Sequence, residues 1–184
     1  QFVSDASHEL RTPLATVRAG AEMIELEGGP RWTPVAADMV ADVDRMDGLI
    51  GDLLALARLQ GAEQPREPVD VRALVTGEVE ARRDAVILVA AGPPVTVVAA
   101  RVPLERAAAN LIDTAVRHRE RRVDAAVALD GDDVLVIVED DGRGVEPEDR
   151  DRVFDRFVRL DEARTRDTGG AGLGLAVVAA VVTS

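Results

Sequence analysis

Ser4-Asp5-Ala6-Ser7-His8-Glu9-Leu10-Arg11-Thr12-Pro13 sets a histidine beside a glutamate. An imidazole with a pKa of about 6.5 is largely neutral at pH 7, and can act as base, metal ligand or nucleophile. Glu9 can accept or orient one ring proton while the other ring nitrogen attacks an electrophile, a chemistry that suits phosphoryl transfer onto nitrogen. Thr12 lies one helical turn from His8 and shares its face. A metal site would need more ligands at matching spacing, but the other histidine, His118, is far along the chain and no HExxH pattern exists. Taken alone, a helical His-Glu pair is equally an ordinary solvated face.

Two glycine clusters add a second chemistry. Asp140-Asp141-Gly142-Arg143-Gly144 leaves a β-patterned stretch, and Gly169-Gly170-Ala171-Gly172-Leu173-Gly174-Leu175 leads into an apolar helical run. Loops of this kind let backbone amides approach phosphate. Neither fits the Walker A pattern, whose lysine this chain cannot supply because it contains none, and neither has the βαβ setting of a dinucleotide fingerprint. Each cluster alone could equally serve a turn or a helix cap.

These groups must be held by regular structure. Val3, Ala6, Leu10, Leu14, Val17, Ala21 and Ile24 recur in steps of three and four, the stripe of a helix with one buried face. Gly28, Gly29 and Pro30 stop it. Thr33 and Pro34 offer an N-cap and a first-turn proline for a second helix, with the stripe Met39, Val43, Met46, Ile50, Leu53 and Ala57. Two helices bury too little alone, so residues 1–60 are expected to be an antiparallel hairpin that pairs with a second copy as a four-helix bundle. Gly61, Pro65 and Pro68 mark residues 61–69 as a linker. Beyond it, residues 70–184 read as a helix capped by Asp70, strands on either side of Gly92-Pro93-Pro94, a helix from about Val102 to His118, and a hairpin turning at Asp130-Gly131. The fold class is α+β.

Composition excludes several functions. A net charge of −12, with 22 basic residues that are all arginine, argues against wrapping nucleic acid or lying on anionic lipid. With no cysteine, neither disulfides nor thiolate chemistry is available. No apolar run reaches the roughly 18 residues of a membrane span.

Taken in order, Ser7-His8-Glu9-Leu10-Arg11-Thr12-Pro13-Leu14, the stretch Asn110 to His118, the Asp140 loop, Phe154-Asp155-Arg156-Phe157 and the Gly169 to Leu175 run resemble the transmitter region of sensor histidine kinases. In that family a dimerisation and phosphotransfer hairpin precedes an α/β-sandwich ATP-binding domain of the gyrase, Hsp90, histidine kinase and MutL type. The resemblance implies His8 as phosphoacceptor, Glu9 as its base and Thr12 as the residue that orients water for dephosphorylation. It implies Asp140 on the adenine amine, Gly142 and Gly144 close to the base, Asn110 and Arg117 toward Mg-triphosphate, and His118 against adenine. Gly170, Gly172, Leu173 and Gly174 would shape the phosphate end of a lid anchored by Phe157. It further implies ATP and Mg²⁺ as cofactors, a homodimer, a response-regulator receiver as partner, and a cytoplasmic position under a membrane-anchored parent. Two departures stand out. Similar kinases carry a second asparagine one turn after the first, as a Mg²⁺ ligand; here Thr114 takes that place, beside Asn110 as the other metal ligand, so a kinase-impaired, phosphatase-biased protein or a dimeric scaffold is the alternative. Similar domains also continue beyond the last helix, so the sheet is expected to be truncated at its C-terminal end.

Overall fold

The computed structural model describes residues 14–24, 29, 32–59, 64–82, 85–160 and 172–183. Helix α1 covers residues 14–24 and α2 covers Thr33–Leu59. They lie side by side at Gly20, where an added Cβ would come within 2.8 Å of Met39 and 3.2 Å of Val35. The N-terminal half of the first apolar stripe, Val3 to Leu10, lies outside the described residues.

Strand β1 (Glu67–Asp70) begins inside the segment expected to be a linker and pairs antiparallel with β3 (Thr96–Ala99). Pro68 is tolerated there because, among the described residues, the sheet has two strands and β1 has one neighbour. Helix α3 (Val71–Glu80) follows directly, its N-cap Asp70 accepting from the amides of Arg72 at 3.0 Å and Ala73 at 3.1 Å. Asp70→Ala is expected to lower stability by about 1 kcal/mol, seen as a lower urea midpoint at unchanged slope.

The stretches flanking Gly92-Pro93-Pro94 do form strands, but they enter different sheets. Strand β2 (Ile87–Val89) runs parallel to β4 (Val123–Asp130), which pairs antiparallel with β5 (Asp133–Asp140). Gly131, at φ 62, makes the turn of that hairpin. Between β3 and β4 lies α4 (Arg101–His118), and α5 (Gly174–Val182) closes the described chain.

One core forms where α3 and α4 cover a face of the β2-β4-β5 sheet, around Val71, Val75, Ala108, Ile112, Ala125 and Val127. Alternation along β4 buries Val123, Ala125 and Val127, the period-two pattern of a half-covered sheet. A second core joins the hairpin to the rest: Leu49, Ala55 and Leu56 of α2 meet Leu173 and Val177, with Phe157 packed against them. On α2 the buried residues are Asp42, Leu49, Asp52, Ala55 and Leu56. At 100° per residue this face lies about 120° around the helix from the stripe read in the sequence. Val43 and Ile50 of that stripe are 48% and 45% exposed, so the face expected to meet a second copy stays open.

Candidate active site

The site is built on the end of α4 and the loops that converge on it. Asn110, Thr114 and Arg117 fall on one side of α4, with His118 at its last turn. By helix rise, Asn110 stands about 12 Å from His118 along the axis.

At the His118 end, the loop after β5 folds tightly against the helix terminus. A Cβ on Gly142 would overlap the His118 carbonyl oxygen, and would lie 2.7 Å from Asp140 Oδ1. Only glycine allows this approach. The Gly142 amide donates to Asp140 Oδ1 at 2.9 Å, which orients an exposed carboxylate at the mouth of the loop. Gly144, at φ 71, continues the loop through a left-handed conformation with open space around it.

Asp141 ties the two loops together. Its Oδ1 accepts from the amides of Glu120 and Arg121 at 2.9 Å and of Arg122 at 3.2 Å. These backbone donors, Arg121 first, hold its carboxyl below the usual carboxylate range against the opposing effect of desolvation. A depressed folded pKa contributes stability above the unfolded value, about 3.9, and loses it as pH falls through the folded one. Asp141→Asn is therefore expected to be less stable than the parent at pH 7, with the gap narrowing below about pH 4. Urea melts from pH 7 to pH 3 would check this.

The Asn110 end is shaped by the start of α5. A Cβ on Gly174 would sit 3.3 Å from the Asn110 carboxamide oxygen, so the helix N-terminus lies directly over that side chain. Gly172, at φ 70, accepts at its carbonyl from the Phe157 amide at 2.7 Å, and a Cβ there would come within 2.8 Å of the Phe157 backbone. Phe157 itself adopts φ 63, a conformation L-residues avoid. This pinned pair forms the stem of the segment joining Val158 to Gly172. Leu173 is buried in the second core, so its side chain packs rather than contacting a ligand.

The structure thus brings Asp140, Gly142 and His118 together at the C-terminal end of α4, and sets Gly174 over Asn110 near the middle of that helix, with Thr114 between the two on the same side. Arg117 and His118 are exposed. His8, Glu9, Thr12 and Gly170 lie outside the described residues. Asp113, beside Thr114 in sequence, is committed elsewhere: it accepts from Arg82 Nε at 2.6 Å.

The two expected metal ligands each donate one hydrogen bond within the protein. The Asn110 carboxamide nitrogen donates to Asp52 Oδ1 of α2 at 3.0 Å, and the Thr114 hydroxyl donates to the Asn110 carbonyl at 2.7 Å. Asp52 and its partner Arg106, whose Nε donates to the same oxygen at 2.6 Å, were missed by sequence reasoning. Their one signal was Gly48 and Gly51, two glycines inside a helix that has no turn there.

Fold and site define a class: a pair of helices docked on an α/β module whose long helix and glycine loops form one face. Residues 99–184 match the family of histidine kinase-, DNA gyrase B-, and HSP90-like ATPases, and residues 1–62 match the His Kinase A (phospho-acceptor) domain. The chain is 39% identical over 190 residues to the sensor histidine kinase MtrB of Mycobacterium leprae (strain TN), covering 96% of this chain and 34% of that protein. It is 34% identical over 186 residues to the sensor histidine kinase CpxA of Escherichia coli (strain K12), covering 97% and 40%. Among solved structures, the mycobacterial sensor histidine kinase MprB matches with a TM-score of 0.56 and 30% identity over 64% of this chain and 78% of that one. The Acinetobacter baumannii histidine kinase AdeS shares the fold, with a TM-score of 0.71 and 24% identity over 96% and 86%. This chain belongs to the sensor histidine kinase family. It spans 34% and 40% of the length of the two curated relatives.

Proposed function

We propose that the chain is the transmitter portion of a two-component sensor kinase: it binds ATP, transfers the γ-phosphoryl group to His8, and passes it to an aspartate on a response-regulator receiver. The observation that carries the reading is the close packing of Gly142 against the His118 carbonyl. It presents an exposed Asp140 carboxylate, oriented by the Gly142 amide, beside the end of α4, the acceptor that the exocyclic amine of a flat base would need. These residues fit ATP. In the transfer a bond forms between a ring nitrogen of His8 and the γ-phosphorus, the bond to the β,γ-bridging oxygen breaks, and ADP leaves. Glu9 takes the ring proton, and Arg117 offsets triphosphate charge in an acidic protein.

The division at residues 61–69, the pairing of two hairpins through the open α2 stripe and a cytoplasmic position belong to the same reading. No helix among the described residues is long and apolar enough to cross a membrane. As arranged, Asn110 spends only its carboxamide nitrogen, on Asp52, and keeps the oxygen that Mg²⁺ would take, whereas the Thr114 hydroxyl is short and turned back on its own helix, which makes it a poor second ligand. This favours a second reading, a kinase-impaired protein biased toward phosphatase or scaffold work, with Thr12 orienting water.

The test is incubation with γ-labelled ATP and Mg²⁺ beside His8→Ala. Acid-labile label in the parent, reduced at least a hundredfold in His8→Ala, supports the kinase. Label that survives the substitution would remove His8 as acceptor, and an unlabelled parent that still dephosphorylates a receiver supports the second reading.

A further inference from the structure

The turn between α4 and β4 hangs on one side chain. Its first amide, at Arg119, donates to the Ala115 carbonyl at 2.9 Å, and Val123, where β4 begins, donates to the Val86 carbonyl at 3.0 Å. The amides between them, at Glu120, Arg121 and Arg122, all converge on Asp141 Oδ1. Water could satisfy donors on so exposed a turn equally well, so what these bonds add is a fixed place for Asp141. The residues on either side of it are fixed as well. Asp140 ends the β4-β5 ladder opposite Val123, and Gly142 packs under the His118 carbonyl and donates to Asp140 Oδ1 at 2.9 Å. Consecutive residues are thus tied to different elements: Asp140 to β4, Asp141 to the turn and Gly142 to the end of α4. Successive extended residues send their side chains to opposite sides, so Asp141 grips the turn while Asp140 stays free for a ligand.

We propose that Asp141 is a positioning residue that sets the base preference of the nucleotide site, by holding Asp140 where it accepts from the amine of adenine and repels the carbonyl of guanine. This rests on the reading of Asp140 as the acceptor for the exocyclic amine. An ionised carboxylate can only accept. Against an amine it gains a hydrogen bond, whereas against a carbonyl two acceptors face each other with no proton between them. Discrimination of that kind needs a carboxylate that cannot swing aside. Asp140 is itself exposed, and its hydrogen bond from Gly142 comes from the same loop, which moves with it. The tie to the turn, one residue along, is what anchors the loop from outside. Without it Asp140 shifts, the bond to the amine of adenine weakens, and a water can bridge the carboxylate to guanine.

The test is the ratio of ATP affinity to GTP affinity, measured by calorimetry with Mg²⁺ in the full chain. Asp141→Ala and Asp141→Ser lose the reach to the turn, and because the side chain is exposed neither leaves a cavity. Asp141→Asn keeps an acceptor oxygen in the same place. Both truncations are expected to lower the ratio about tenfold, through weaker ATP binding at nearly unchanged GTP binding. Asp141→Asn is expected to stay within about threefold of the parent ratio although it is the less stable protein. In combination with Asp140→Ala, which removes the preference itself, Asp141→Ala is expected to change the ratio no further. A lower urea midpoint with an unchanged ratio, or equal losses for both nucleotides, would make Asp141 a brace for the turn and overturn the inference. A further fall of the ratio in the Asp140→Ala background would overturn the route through Asp140. A parent that binds ATP and GTP alike, or neither, would instead remove the reading of Asp140 on which the inference rests.

Discussion

Gly142→Ala is expected to weaken ATP binding about a hundredfold, the loss that a misplacement of about 1 Å can produce in a positioned site. A methyl group at 142 meets the His118 carbonyl oxygen, and a backbone carbonyl at the end of a packed helix cannot give way as a flexible side chain would. The loop must withdraw, taking with it Asp140, whose carboxylate is oriented by the Gly142 amide. The control is Gly144→Ala. That residue has open space around it and only its φ of 71 opposes a side chain, so the substitution should cost about 1 to 2 kcal/mol of local strain and spare much of the binding. Isothermal titration of both variants, beside circular dichroism to confirm folding, decides the matter. Gly142→Ala binding within threefold of the parent would show that the loop's approach to α4 is not part of the site.

The second large effect is a gain. Thr114→Asn is expected to raise phosphate incorporation on His8 at least tenfold and to steepen its dependence on Mg²⁺. The threonine hydroxyl is short and donates to the Asn110 carbonyl one turn back, whereas a carboxamide reaches further from the helix and presents a carbonyl oxygen, the ligand type that Mg²⁺ accepts. Position 114 lies on the same side of α4 as Asn110, so two oxygens would then face the triphosphate end together. Single-turnover labelling across a Mg²⁺ series measures it. No gain at any Mg²⁺ concentration would show that residue 114 does not limit phosphate incorporation.

Much of this was legible along the chain. Asp70 read as a cap and is one, because capping needs only a short acceptor immediately before a helix. The β4-β5 hairpin and the extent of α4 were also foreseen, since period-two alternation and a Gly turn are local signals. Strand β1 was missed: Glu67-Pro68-Val69-Asp70 has the composition of a linker, and it becomes a strand only because Val97 and Val98 of β3 lie alongside. Arg72 was missed for a similar reason. Its guanidinium donates to the carbonyls of Pro93, Ala90 and Val127 at 2.7, 2.8 and 2.5 Å, holding the β2–β3 connection to β4. Nothing in the residue type says which distant carbonyls will need a donor.

Motif order and hydrophobic period are properties of the chain, and they carried the family resemblance, the α+β class and the residues offered for chemistry. The sequence by itself could not determine which of α2's faces docks, since the helix carries apolar residues on two sides and period alone favours the wider stripe. The tertiary structure decided that Leu49, Asp52 and Leu56 turn toward α4 and α5, leaving Val43 and Ile50 open. It also decided the present partner of Asn110. A carboxamide can donate as readily as it can accept, and a buried carboxylate brought from more than fifty residues away in sequence takes the donor.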